Sequence, residues 1–120
     1  MSTKTGILAA RDAIGARGRT LRALIEDAEV GRRHRASRVR IRWAKGDHPI
    51  RATVIGRDRE YAVTIDTRKA DARYTCTCPD HGRAGPCKHV VAVAGDWITR
   101  VGIPAWRGLS AAIEALKIAS

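Results

Sequence analysis

Four residues stand out by type and spacing: Cys76, Cys78, Cys87 and His89. They read Cys-x-Cys, eight intervening residues, then Cys-x-His. Two cysteines two positions apart on an extended segment point to the same side, so both thiolates can reach one ion. Pro79, Gly82, Gly85 and Pro86 lie between the pairs, and such residues let a chain reverse tightly. Three sulfurs and one imidazole suit tetrahedral zinc, and four protein ligands leave no open position for water. The expected cofactor is therefore one structural zinc ion. Three cysteines is an odd count, which argues against a closed disulfide framework, and in a reducing compartment such a cluster reads as metal before disulfide. Two other readings stay open. The cysteines can be small buried hydrophobes. Alternatively, His81 inside the loop can complete a Cys76, Cys78, His81, Cys87 set, although it sits on a segment that must also turn. His34 and His48 are isolated in polar or basic stretches and are expected to be solvated.

The elements that must position these residues change period along the chain. Ile7, Ala10 and Ile14 can share a helix face that Gly15 and Gly18 weaken. After Thr20, a plausible N-cap, Leu21, Leu24, Ile25 and Ala28 form a helical stripe, with Gly31 as its stop. A helix is expected over about residues 20–30. The period then becomes 2. Val39, Ile41 and Trp43 alternate with Arg38, Arg40 and Arg42, the pattern of a strand with one buried and one solvated face. Lys45-Gly46-Asp47 and Pro49 make turn chemistry. Ile50, Ala52 and Val54 form a second run ended by Gly56, and Tyr61, Val63 and Ile65 a third. Tyr74 and Thr75 begin a fourth extended piece carrying the first cysteines. Beyond His89, Val90, Ala94, Trp97, Ile98 and Val101 fall at helical spacing, while the β-branched Val90, Val91 and Val93 also suit a strand. Gly102-Ile103-Pro104 is expected to break this element before a short terminal helix marked by Leu109, Ile113 and Leu116. The fold class is α+β: an antiparallel three- to four-stranded meander leading into the Cys3His cluster, flanked by N- and C-terminal helices.

Cys76-Thr77-Cys78-Pro79 and Gly85-Pro86-Cys87-Lys88-His89-Val90 resemble the signature of SWIM-type zinc fingers. Upstream, Ile50-x-Ala52-x-Val54-x-Gly56 and Tyr61-x-Val63-x-Ile65 are similar to the strands that lead into such fingers. The resemblance covers roughly residues 37–98. It implies that Cys76, Cys78, Cys87 and His89 are the zinc ligands and that a helix follows His89. It also implies association with DNA or with other proteins, including RecA-like recombinase paralogues. Three segments are expected: a helical, basic arm over 1–36, the meander, finger and following helix over 37–98, and a C-terminal helix over 99–120.

Charge suggests the partner. Among 120 residues, 23 Lys and Arg stand against 12 Asp and Glu, a formal net charge of +11, and 18 of the 23 are arginine. Arginine favours bidentate recognition of phosphate or carboxylate, and a basic chain of this size has nucleic acid as its default partner. Six arginines and no acid lie between Arg32 and Arg42. Arg38, Arg40 and Arg42 are expected on one strand face, fed by Arg32, Arg33 and Arg35 and continued by Arg51. Edge protection against aggregation is the bland alternative. The expectation is a zinc-dependent module that grips the phosphate backbone, of DNA ahead of RNA, with low sequence specificity. The alternative is an adaptor, such as an accessory subunit of a RecA-like recombinase or another DNA-processing ATPase. Its docking face would be the terminal helix, with the stripe Leu21, Leu24, Ile25 and Ala28 as a dimer seam. No serine nucleophile, P-loop or catalytic carboxylate pair is recognisable, and Asp80 beside His81 reads as loop surface, so an enzyme is not expected. The longest apolar run, Val90 to Ala94, is far short of the roughly 20 residues a membrane span needs. Ile7 to Ala10 is closed by Arg11 and Asp12, which leaves no secretory core segment. A cytoplasmic location is expected, at the nucleoid in a prokaryote.

Overall fold

A computed structural model of the chain describes residues 3–36, 39–47, 49–68, 72–79 and 85–119. The strands are β1 (Arg40–Asp47), β2 (Ile50–Ile55), β3 (Glu60–Asp66) and β4 (Arg73–Cys76), and the helices are α1 (Thr3–Asp27), α2 (Val30–Ala36), α3 (Lys88–Trp97) and α4 (Ile103–Ala119). The strands form one antiparallel sheet in the order β1-β2-β3-β4. The meander follows from its period-2 pattern: Ile50, Ala52 and Val54 of β2 and Val63 and Ile65 of β3 are buried, while their neighbours on the other face are not. Burying a valine or isoleucine side chain is worth about 1.5–3 kcal/mol, so a one-residue slip of either strand would lose several such contributions.

Among the described residues the helices cover that inner face. Leu21 and Leu24 of α1 share one core with Ile50, Val54, Val63, Ile65, Val90, Val93 and Trp97. Ala28 and Ala36 pack with Val91 and Ala92 on the other side of α3. α3 is thus enclosed by sheet, α1 and α2, which explains why its sequence is apolar nearly all round rather than along one stripe. The indole Nε1 of Trp43 donates to Asp96 Oδ2 at 2.7 Å and ties β1 to α3. Among the described residues no helix is long and apolar enough to cross a membrane.

Several expectations are corrected. The helix expected over 20–30 begins at Thr3, because α1 packs along α3 and α4 and tertiary contact outweighs the propensity cost of Gly15 and Gly18. Thr20 is no cap: inside the helix its hydroxyl donates to the carbonyl of Ala16 at 3.1 Å. Gly31 lies within α2 rather than ending a helix. Lys45–Asp47 belongs to β1, whose register shifts between Trp43 and Asp47, so the hairpin closes where Asp47 pairs with Ile50. Gly102-Ile103-Pro104 does not break the C-terminal element. The backbone widens into one π-helical turn, Ile98–Gly102, and continues as α4, a helix of 17 residues rather than a short one. Proline lacks an N–H and crowds the carbonyl four residues back, and a wider turn before Pro104 relieves that. Gly102 is required there, since a Cβ would stand 2.6 Å from the ring of the buried Trp97. The proposed dimer seam is internal: Leu21, Leu24 and Ala28 are buried within the protomer.

Candidate metal centre and the basic surfaces

Two separate devices bring the four candidate ligands together. The first pair hangs from the end of the sheet. Cys76 closes β4 opposite Val63. One residue on, Thr77 donates its backbone N–H to the Ala62 carbonyl at 3.2 Å and accepts from the Ala62 N–H on its hydroxyl at 3.0 Å. Thr77 therefore prolongs the strand geometry by one residue. Alternation turns Cys76 and Cys78 inward, both buried, and Thr77 outward. The second pair sits at the start of α3, with Cys87 as its N-cap residue and His89 in its first turn. The approach to this pair is clamped from a distance. Arg32 of α2, only 7% exposed, donates from Nη1 to the carbonyls of Gly85 and Pro86 at 3.1 and 3.2 Å, and its Nε lies 3.5 Å from Glu29. Gly85 adopts φ +85, and a Cβ there would stand 3.3 Å from the Asp27 carbonyl, so glycine suits both the backbone angle and the close approach.

The donor atoms of Cys76, Cys78, Cys87 and His89 lie within 4.8 Å of one another, and all four residues are buried. His89 turns Nδ1 toward the sulfurs, 3.7 Å from Cys76 and 4.0 Å from Cys87. Zn–S bonds of about 2.3 Å and Zn–N bonds of about 2.0–2.1 Å imply tetrahedron edges of roughly 3.5–3.8 Å, so the cluster has the size of a closed zinc site. The electrostatics agree. A hydrogen bond from Cys76, helped by His89 and by the Val90 amide at the start of α3, lowers the Cys87 thiol, while the same shared proton and burial push Cys76 upward. Thiolate character is what a metal requires. Tyr61 stacks on the His89 ring, centroids 4.5 Å apart and 24° between planes, and holds the imidazole in orientation. When bound, the ion supplies a crosslink between sheet and helix.

A four-stranded meander joined to a helix through a closed Cys3His cluster defines a small zinc-finger module. Residues 61–97 match the family model for the SWIM zinc finger, and the chain carries a SWIM-type zinc finger that binds one structural zinc ion. No curated protein and no solved structure matches the chain.

The expected basic residues divide. Arg40, Arg42 and Arg51 are exposed, and the pairings Arg40–Ile55, Arg42–Thr53 and Arg51–Thr64 put them on the outer sheet face, opposite the helices. Arg42 also pairs with Glu60 at 3.0 Å. Arg33 and Arg35 are exposed on α2. Arg32 is a correction: it is buried against the finger and is not part of a solvent-facing basic surface. His34 is exposed as expected, while Arg38, His48, Asp80 and His81 lie outside the described residues. Reading the sequence missed Arg32 as a clamp, Thr77 as the residue that aims the first cysteines, and Tyr61 as the support of His89. Only Thr77, at the centre of Cys-x-Cys, carries a local signal.

Proposed function

We propose that this protein is a zinc-ordered nucleic-acid-binding module, taking DNA ahead of RNA and gripping it through phosphates with little sequence preference. Cys76, Cys78, Cys87 and His89 are the zinc ligands in this reading. The observation that carries it is the open outer sheet face, where Arg40, Arg42 and Arg51 stand among Thr53, Thr64 and Thr75 while the helices pack against the opposite face. Residues of one face repeat every ~6.6–6.8 Å along a strand, comparable with two phosphate steps of about 3.4 Å along one nucleic-acid strand. The aromatic residues are elsewhere: Trp97 is buried, Trp43 is bonded to Asp96 and Tyr61 is stacked on His89. That favours backbone contact over base stacking. Three bound thiolates and one Zn²⁺ change the formal charge of +11 by −1, so the loaded protein remains strongly basic. The segments 1–36, 37–98 and 99–120 act in this reading as clamp, finger and brace, and the protein works by binding rather than catalysis, in the cytoplasm or at a nucleoid.

The deciding experiment is a titration of single-stranded DNA, duplex DNA and RNA at several salt concentrations with the triple variant Arg40→Ala, Arg42→Ala, Arg51→Ala. Loss of three phosphate contacts flattens the slope of log affinity against log salt by roughly 2–3. An unchanged slope with zinc content intact would reduce the arginine face to a solvated edge. The second reading, an adaptor for a RecA-like recombinase or another DNA-processing ATPase, is favoured by one observation: Trp106 on α4 is 44% exposed. Its other support weakens, because Ile113 of the same helix is buried. Trp106→Ala would abolish capture of such an ATPase and leave DNA affinity intact.

A further inference from the structure

Beside the zinc cluster lies a cleft of about 660 Å³ whose walls come from α2, the β1 and β2 ends, the β2–β3 turn and the start of α3. That is within the roughly 300–1,000 Å³ of ligand pockets. Four cations line it, Arg35, Arg40, Arg57 and Lys88, and among the described residues no carboxylate does. Among the described residues none of the four takes part in an ion pair. Two acids stand nearby: Asp58 of the β2–β3 turn, which does not line the cleft, and Glu60, which is paired with Arg42 on the outer face. Tyr61 and His89 contribute to the lining as a stacked pair. Even against the single negative charge of a loaded three-thiolate centre, the described lining keeps a surplus of three positive charges. Like charges held together in a concave site repel and raise the local potential, and arginine forks match phosphate oxygens bidentately.

We infer that this cleft is a phosphate-binding site at the mouth of the finger, with Arg57 and Lys88 as its defining residues and Arg35 and Arg40 closing it. This deepens the nucleic-acid reading and rests on it for the source of the phosphate. Arg40, shared by the cleft and the outer sheet face, leads a strand from one to the other. A free phosphate or mononucleotide offers the same chemistry.

The test uses the zinc-loaded full chain, a 5′-labelled single-stranded oligodeoxynucleotide and, separately, inorganic phosphate followed by amide NMR. Two double variants are compared at equal zinc content: Arg57→Ala with Lys88→Ala for the cleft, and Arg42→Ala with Arg51→Ala for the sheet face. Because Lys88 stands between Cys87 and His89, Arg57→Glu alone, on the β2–β3 turn, is the further cleft variant. The expected result is saturable phosphate shifts at Gly56, Arg57 and Lys88 that the cleft variants lose, together with an oligonucleotide salt slope flattened by about 0.7–0.9 per phosphate released. If the sheet-face variant alone weakens the oligonucleotide and phosphate leaves the cleft amides unmoved, the cleft proposal is overturned while the nucleic-acid reading stands. If phosphate binds in an Arg57-dependent manner but the oligonucleotide does not bind at all, the cleft stands with a free phosphate as its ligand and the nucleic-acid reading falls.

Discussion

The two arms of the zinc cluster are built on different physics. Cys76 and Cys78 belong to an arm that the sheet makes by itself: β4 pairs with β3, and Thr77 adds two hydrogen bonds to Ala62 beyond the last strand residue. Cys87 and His89 belong to an arm that needs help from far away in sequence. Arg32, more than fifty positions upstream, holds the carbonyls of Gly85 and Pro86. One arm is specified by alternation and register, and the other by a buried guanidinium on a helix outside the matched finger region. The difference teaches that a short ligand motif can look self-contained while half of its geometry is supplied by another segment.

Removing the ion should break both arms at once and give the largest effect. Structural zinc contributes about 10–16 kcal/mol of apparent binding free energy in small finger peptides, against a typical domain stability of about 5–15 kcal/mol. A strong chelator, or Cys78→Ser, should therefore abolish cooperative thermal unfolding by circular dichroism, with native mass spectrometry reporting one zinc per chain before treatment. His89→Ala should lose zinc. His81→Ala should keep it, and the reverse outcome would move the fourth ligand into the loop.

Arg32→Met comes next and separates the arms. It keeps much of the side-chain volume but leaves two carbonyls without their donor, and hydrogen bonds to charged groups contribute about 1.5–3 kcal/mol. Stability measured in urea with zinc present should fall by about that amount, and zinc should transfer to a competing chelator faster. Thr77→Val tests the sheet-built arm by removing one neutral hydrogen bond, at a cost of about 0.5–1.5 kcal/mol. If Thr77→Val destabilises more than Arg32→Met, the proposed division between a local and a remote support is wrong.

The smallest effect lies at the β3 end that delivers β4. Asp66 accepts from Arg68 through both its side chain and its backbone N–H, and these bonds hold its carboxyl well below the ordinary carboxylate range. A lowered folded-state value gives a contribution that is full above the unfolded value of about 3.9 and is lost as pH falls from there through the folded-state value. The melting-temperature difference between the wild-type protein and Asp66→Asn should thus be present at neutral pH and close as the pH drops below about 4. Arg68 is exposed and Asp66 only half-buried, so the difference is expected to be slight.

The four side chains that cluster in the fold were legible as candidate donors in the sequence because their types and spacing mark them. Cys-x-Cys and Cys-x-His need no partner to be recognised, although only the family resemblance implied the helix after His89, and the meander was legible because period 2 persists through β2 and β3. The segment after His89 was ambiguous in pattern because α3 is enclosed on every side, which erases the stripe that marks a half-buried helix. The C-terminal helix looked interrupted because Gly102 and Pro104 are local breakers, whereas Trp97 packed on Gly102 and a widened turn carry the helix through. Arg32 illustrates the limit most clearly. In sequence it is one of six arginines in eleven residues, indistinguishable from Arg33 and Arg35. Whether a guanidinium meets solvent or a buried carbonyl depends on how α2 packs against a loop more than fifty residues away, and that long-range packing is decided only by the tertiary structure.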